Sequence, residues 1–305
     1  MTFALMITLF AASCTTPDGG VQEYRPAVFP MQQAPQEEVR PPMAYMPPPE
    51  PMMCLSPSSI STRAPETHAA SYILVNARNG SVLAARNADE PRSVASTQKI
   101  LTALVVIDAG NLDAPVRIAP SDVAVEPTKL GVRPGEVYSR RQLLIGFLVK
   151  SANDVANALA RDNAGSIEAF ARKMNAKARS LGATNSYFAC PHGLTATGQH
   201  STARDMARIG LAAYRNPVIR DAVRRRNFAF TYANGKTVAL KNTNDLLGIM
   251  PECDGMKTGY TGPAGRCLIS TAHTWNKEVL LVQLGTKTKY IWNDGAALMR
   301  WGLNQ

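Results

Sequence analysis

The 305-residue chain has only four histidines, and His68, His192, His200 and His273 lack any metal-ligand spacing. A metal centre is therefore not expected, and no motif calls for a cofactor. Cysteine is scarce as well. Beyond Cys14 there remain Cys54, Cys190, Cys253 and Cys267, an even count that permits disulfides in an exported protein without fixing them. A bridge between Cys253 and Cys267 and plain buried thiols both stay open. Acidic residues are outnumbered, 23 against 33 Lys and Arg, which leaves a net charge of +10. Such an excess suits an acidic polymer. Nothing supports nucleic acid in that role: there is no helix-turn-helix, zinc or aromatic–basic motif, and Arg224-Arg225-Arg226 reads as a solvated helix end. The apolar run at 3–13 is too short to cross a bilayer.

Against these absences stand three short motifs in a fixed order: Ser96-Thr97-Gln98-Lys99, Ser151-Ala152-Asn153 and Lys257-Thr258-Gly259. The pattern S-x-x-K, S-x-N, K-T-G is the signature of penicillin-binding proteins and class A β-lactamases, and it brings a reaction class, acyl transfer through a serine ester. If Ser96 opens a helix, Lys99 lies one turn on and its amine can reach the serine hydroxyl as a base. A lysine base must shed its proton, so a partly dry pocket beside a second cation is expected, and Lys257 supplies that cation. Ser151 can relay a proton to the leaving group, while the Asn153 amide can bond both Lys99 and the peptide carbonyl of a substrate. Thr258 and Gly259 read as an edge strand on which a substrate backbone lies, its terminal carboxylate toward Lys257. The N–H groups of Ser96 and Tyr260 would form the oxyanion hole.

The flanks extend the match. Val94 to Thr102, Lys150 to Asp154, Cys253 to Thr261 with Ala264-Gly265-Arg266, His192-Gly193-Leu194 and Ser201 to Met206 resemble the serine D-Ala-D-Ala carboxypeptidases, the low-molecular-mass penicillin-binding proteins. The resemblance covers about residues 68 to 303. It implies an α+β fold of the serine DD-peptidase/β-lactamase type: an antiparallel five-stranded sheet flanked by helices, with an all-helical lobe closing the cleft. It also implies removal of the last D-alanine from peptidoglycan stem peptides through an acyl-enzyme on Ser96, with β-lactams as covalent inhibitors. Some members carry an arginine between two asparagines before the third motif, and here the segment is Asn242-Thr243-Asn244. Carboxylate recognition then falls on Thr258, Lys257 or Arg266. Better-known members continue into a small β domain, whereas this sequence ends at Gln305 and no such domain is expected.

Residues 1–14 read as a signal peptide whose Ala11-Ala12-Ser13-Cys14 end resembles a lipoprotein processing box, which makes Cys14 the expected lipid-bearing residue and membrane anchor. From 15 to 67 the composition shifts: twelve of the 21 prolines fall there, with almost no periodicity, as in an extended tether. Residues 68–305 are then the catalytic domain. Beyond residue 70, thirty Lys and Arg face seventeen Asp and Glu, a net +13 that suits peptidoglycan and its acids. An exported, cell-wall-side location follows.

Periodicity predicts a hairpin over 72–75 and 81–85, a helix from Ser96 to about Asp108, and helices at 141–149, 153–163, 167–180, 202–214 and 288–301. Strands are expected at 227–232, 236–241, 254–259, 265–272 and 278–285. Three other functions compete with the carboxypeptidase. An endopeptidase would cut cross-links of the same D-D bond. A β-lactamase would need an added glutamate, and Glu168, the only one between 137 and 252, falls in a predicted helix. A non-catalytic wall-binding lipoprotein would not need an intact Ser96 and Lys99.

Overall fold

Strands from the two ends of the chain meet in one sheet, and the helices between them form a lobe at its side. The computed structural model describes residues 54–60 and 62–305. In chain order the elements are β1 (Ser56–Pro57), β2 (Ser71–Asn76), β3 (Ser81–Arg86), a 3-10 turn (Ala95–Gln98), α1 (Lys99–Asp108), β4 (Pro115–Arg117) and α2 (Pro120–Val123). There follow β5 (Val137–Ser139), α3 (Arg140–Lys150), α4 (Asn153–Ala164), α5 (Ile167–Ser180), α6 (Ala203–Arg215) and α7 (Pro217–Val223). The last third holds β6 (Asn227–Thr231), β7 (Thr237–Lys241), α8 (Leu246–Ile249), β8 (Cys253–Thr261), β9 (Gly265–His273), β10 (Glu278–Thr286) and α9 (Ile291–Leu303).

The main sheet runs β1-β3-β2-β10-β9-β8. Its five longer strands are mutually antiparallel, as expected, and the two-residue β1 adds a sixth, parallel to β3. Two small antiparallel pairs, β4-β5 and β6-β7, lie apart from it. Packing thus reaches back past residue 68, the expected start of the domain. Ser56 and Pro57 pair with Ser81 and Val82, and Thr67 is buried.

Strand side chains alternate between two cores, as a sheet covered on both faces requires. On β10, Leu280, Val282 and Leu284 join the large core shared with α1, α6 and the helical lobe, while Val279 and Leu281 face a second core. That second core is closed by α9 through Leu298, Met299 and Leu303. Among the described residues no helix is long and apolar enough to cross a membrane.

The cysteine question resolves toward thiols: Cys54, Cys190, Cys253 and Cys267 are all free. Cys253 stands opposite Ala272 and Cys267 opposite Gly259, so the two are not cross-strand partners. Burial pushes the Cys267 thiol up to about 11. Cys14 lies outside the described residues.

Candidate active site

Ser96 sits not in a helix but in the 3-10 turn that precedes it, and α1 proper begins at Lys99. The tighter turn is entered through Ala95 at φ +49°, a left-handed conformation unusual for alanine, and is tied by Thr97 Oγ1 donating to the Val94 carbonyl at 2.6 Å. The expected proximity survives this change. Lys99 Nζ donates to Ser96 Oγ at 2.7 Å, to Asn153 Oδ1 at 2.7 Å and to the His192 carbonyl at 2.5 Å. Ser96 Oγ itself donates to the same His192 carbonyl at 3.2 Å.

The His192 carbonyl is held in place by α1. Gln98 Nε2 donates to the Cys190 carbonyl and Thr102 Oγ1 to the Pro191 carbonyl, so three successive carbonyls each meet one side chain of the helix start. Gly193 follows at φ +83°, and a Cβ there would lie 2.2 Å from the Ala95 oxygen. Only glycine lets this segment cross the nucleophile turn so closely.

β8 brings the third motif to the turn from the other side. A Cβ on Gly259 would stand 2.8 Å from the Ser96 nitrogen and 3.0 Å from the Ala95 Cβ. Lys257 and Lys99 are both wholly buried. Burial first, and the charge of Lys257 second, hold the Lys99 amine well below the ordinary lysine range. Burial alone takes Lys257 down to about 7. Two cations in one dry pocket repel each other, and the repulsion falls on Lys99. His192 is pushed down to about 4 by burial and by Lys99, so its ring stays neutral near pH 7.

Beside Ser96 opens a cleft of about 320 Å³, lined by Ser151, Thr258, Gly259, Tyr260 and Arg266, with Pro127 and Thr128 forming one part of its wall and Ile291 and Trp292 another. Arg266 is the one charged residue in that lining, and among the described residues no carboxylate pairs with it. Its guanidinium lies 4.7 Å from the centre of the half-exposed Tyr260 ring, and its Nε donates to Thr288 Oγ1 at 3.1 Å. An anionic group entering the cleft would meet a cation held in place from two sides.

A dry serine–lysine pair beside such a cleft is the chemistry of acyl transfer, and comparison with known proteins gives it a family. The family model for D-alanyl-D-alanine carboxypeptidase matches residues 58–288. The chain belongs to the D-alanyl-D-alanine carboxypeptidase family. It is 35% identical over 248 residues to the D-alanyl-D-alanine carboxypeptidase DacB2 of Mycobacterium tuberculosis, covering 79% of this chain and 84% of that one. It is 34% identical to the D-alanyl-D-alanine endopeptidase of Escherichia coli, over 78% of each chain. Among solved structures, a D-alanyl-D-alanine carboxypeptidase from M. tuberculosis superposes with a TM-score of 0.77 at 34% identity, over 83% of this chain and 97% of that one.

Within the family frame, three sequence expectations look different in three dimensions. Both Nδ2 protons of Asn153 are already committed, to the Glu126 and Pro127 carbonyls at 3.0 Å each, so the amide has none left for a substrate carbonyl. Lys257 lies behind the cleft rather than in its lining, with Nζ donating to the Thr258 carbonyl at 2.9 Å. A carboxylate in the cleft therefore meets Thr258 and Arg266 first. Thr243, which occupies the position of some relatives' arginine, lines the cleft and accepts a 2.7 Å hydrogen bond from Thr258 Oγ1.

Ser151 reaches the cleft at the left-handed C-cap of α3, φ +66°, and its hydroxyl makes no hydrogen bond among the described residues. Glu168 is exposed in the first turn of α5 and is not part of the cleft lining, which leaves the β-lactamase reading without its glutamate. Two participants escaped the sequence reading. The 190–194 segment had a signal in His192-Gly193-Leu194, but the wall at 126–131 had none.

Proposed function

We propose that the chain is a serine D-alanyl-D-alanine carboxypeptidase that trims the terminal D-alanine from peptidoglycan stem peptides. The observation that carries this reading is the 2.7 Å contact of the Lys99 amine with Ser96 Oγ in a pocket whose burial and second lysine hold that amine well below the ordinary lysine range, which suits it to act as a base. Ser96 Oγ attacks the carbonyl of the penultimate residue and Lys99 takes its proton. In this proposal the oxyanion is met by the N–H groups of Ser96 and Tyr260, a role supported by the close approach of β8 to the turn at Gly259. The proton held by Lys99 passes through Ser151 to the leaving nitrogen as the peptide bond breaks, the D-alanine carboxylate resting against Thr258 and Arg266, and water then hydrolyses the acyl ester on Ser96. A β-lactam enters the same path and stays on the serine.

The E. coli endopeptidase relative, 34% identical against 35% for the M. tuberculosis carboxypeptidase, supports a second reading in which the same bond is cut within a cross-link. Residues 1–14 act in this proposal as an export leader, Cys14 as the lipid-bearing residue, and residues 15 to about 67 as a tether to the membrane on the cell-wall side. Release of D-alanine from a soluble pentapeptide, set against shortening of a cross-linked dimer, decides between the two substrates. Ser96→Ala and Lys99→Arg are each expected to abolish turnover and labelling by a fluorescent penicillin, since guanidinium holds its proton at any working pH. A penicillin adduct on Ser96→Ala would move the nucleophile elsewhere.

A further inference from the structure

These two parts of the cleft wall are built differently. Ile291 and Trp292 belong to α9, whereas Pro127 and Thr128 stand on the segment 126–131, which has no helix or strand of its own. Side chains must hold such a segment, and most of the holding is done from the start of α4. Asn153 N–H donates to the Thr128 carbonyl at 2.7 Å, beside its two amide bonds to residues 126 and 127. Asp154, wholly buried, takes the Leu130 N–H on Oδ1 at 2.9 Å and the Gly131 N–H on Oδ2 at 2.8 Å. Its Oδ1 also accepts from Val155 N at 2.9 Å, which anchors the carboxylate to its own helix. From the far side the Tyr232 hydroxyl donates to the Leu130 carbonyl at 2.7 Å. The Leu130 side chain is seated at Gly146, where a Cβ would come within 3.3 Å of both it and Phe230.

We propose that Asp154 is a positioning residue that fixes the 126–131 wall of the cleft and so sets affinity for the peptide, without entering the chemistry at Ser96. The proposal rests on the carboxypeptidase reading of the cleft. An ionised carboxylate only accepts, so it can hold two backbone N–H groups at once. Asp154→Asn keeps the shape but turns an NH2 toward one of those two N–H groups, which loses its acceptor and leaves that end of the wall loose. Asp154 makes no hydrogen bond to Ser96 or Lys99, and its charge is the smallest of the influences on the Lys99 amine, well behind burial and Lys257, so loss of the wall should appear chiefly in substrate binding.

The test is steady-state kinetics on a soluble D-Ala-D-Ala pentapeptide, with active sites counted by penicillin titration so that kcat refers to folded enzyme. Asp154→Asn is expected to raise KM about tenfold, the factor that one lost charged hydrogen bond predicts, with kcat per site within about threefold of wild type. Tyr232→Phe should move KM in the same direction by less, and the double variant should fall short of the product because both act on one segment. Asp205→Asn is the control. That buried carboxylate binds Asn185 N and Ser186 Oγ away from the wall, and its loss should lower thermal stability with KM unchanged.

If Asp154→Asn loses stability like the control while KM stays within about twofold, Asp154 is structural only and the proposal fails. A collapse of kcat at constant KM would place Asp154 in the chemistry and also overturn it. Should Asp154→Asn not fold, Tyr232→Phe carries the same expectation. A wild type that releases no D-alanine sinks the carboxypeptidase reading alone, and the half-saturating penicillin concentration then reads the wall in place of KM.

Discussion

Lys257 is buried without a carboxylate, its amine donating to the Thr258 carbonyl and facing the second buried lysine, Lys99. Burial takes its folded pKa from the ordinary 10.5 to about 7, so between those values the unfolded chain holds a proton that the folded chain does not. Stability contributed by this residue is therefore complete above about 10.5 and lost as pH falls toward 7, with a deficit on the order of 5 kcal/mol below that. Lys257→Met keeps the length and removes the charge. It is expected to raise the melting temperature at pH 7 by about 4–8 °C, less than the full deficit because the bond to Thr258 goes too. The gain should shrink steadily as the comparison is repeated up to about pH 10. Turnover should fall sharply, since Lys99 loses the neighbour that, after burial, does most to lower its affinity for a proton. A melting temperature lowered at pH 7, or a difference independent of pH, would show that Lys257 is not held against its own desolvation.

β8 and the nucleophile turn work as one device, because the strand runs past Ser96 with no room for a side chain at residue 259. Gly259→Ala puts a methyl group 2.8 Å from the Ser96 nitrogen, against backbone that cannot swing aside. The strand must retreat by several tenths of an ångström, which widens the oxyanion hole, and loss of one oxyanion donor costs on the order of 10²–10³ in kcat. Acylation by penicillin, followed by stopped flow, should slow by about that factor while the melting temperature changes little. Unchanged acylation would mean that the hole is built elsewhere. Legibility from sequence followed the same division between regular elements and close approaches. α5 was readable to the residue because Ser166 caps it and its apolar positions recur at helical spacing, and β8 to β10 were readable because they are long and apolar. α7 carried a signal that periodicity alone passes over, Asn216 as cap and Pro217 in the first turn. The three-residue strands β4 and β5 are too short to alternate. The three motifs placed Ser96, Lys99, Asn153 and Gly259 together. The saturated Asn153 amide and the wall at 126–131 depend on contacts between residues more than twenty apart that no local pattern encodes.

The catalytic unit is closed by chain at the expected boundary between tether and domain, Thr67 on one side of it and His68 on the other. Thr67 Oγ1 and His68 N donate to Asp294 Oδ2 at 3.1 and 2.7 Å, Arg86 Nη2 donates to the Thr67 carbonyl at 2.8 Å, and His68 stacks on Tyr290 at 3.6 Å between ring centres. Asp294 is buried near the start of α9, the helix whose Ile291 and Trp292 form one wall of the cleft. Starting the chain at residue 69 leaves that carboxylate buried with its partners gone, whereas starting it at residue 54 keeps every one of these bonds. Two hydrogen bonds to a charged group are worth roughly 1.5–3 kcal/mol each, so the shorter piece should melt about 6–15 °C below the longer one. It should also bind peptide less well, because the α9 wall is no longer tied. The longer piece, lacking Cys14 and its proposed lipid, should keep full activity on a soluble pentapeptide and leave the membrane fraction, while the whole chain stays there and takes up labelled fatty acid. Equal melting temperatures for the two pieces would show that residues 54–68 lie on the unit without holding it. Membrane retention of the 54–305 piece would locate the anchor in the catalytic unit and not at Cys14.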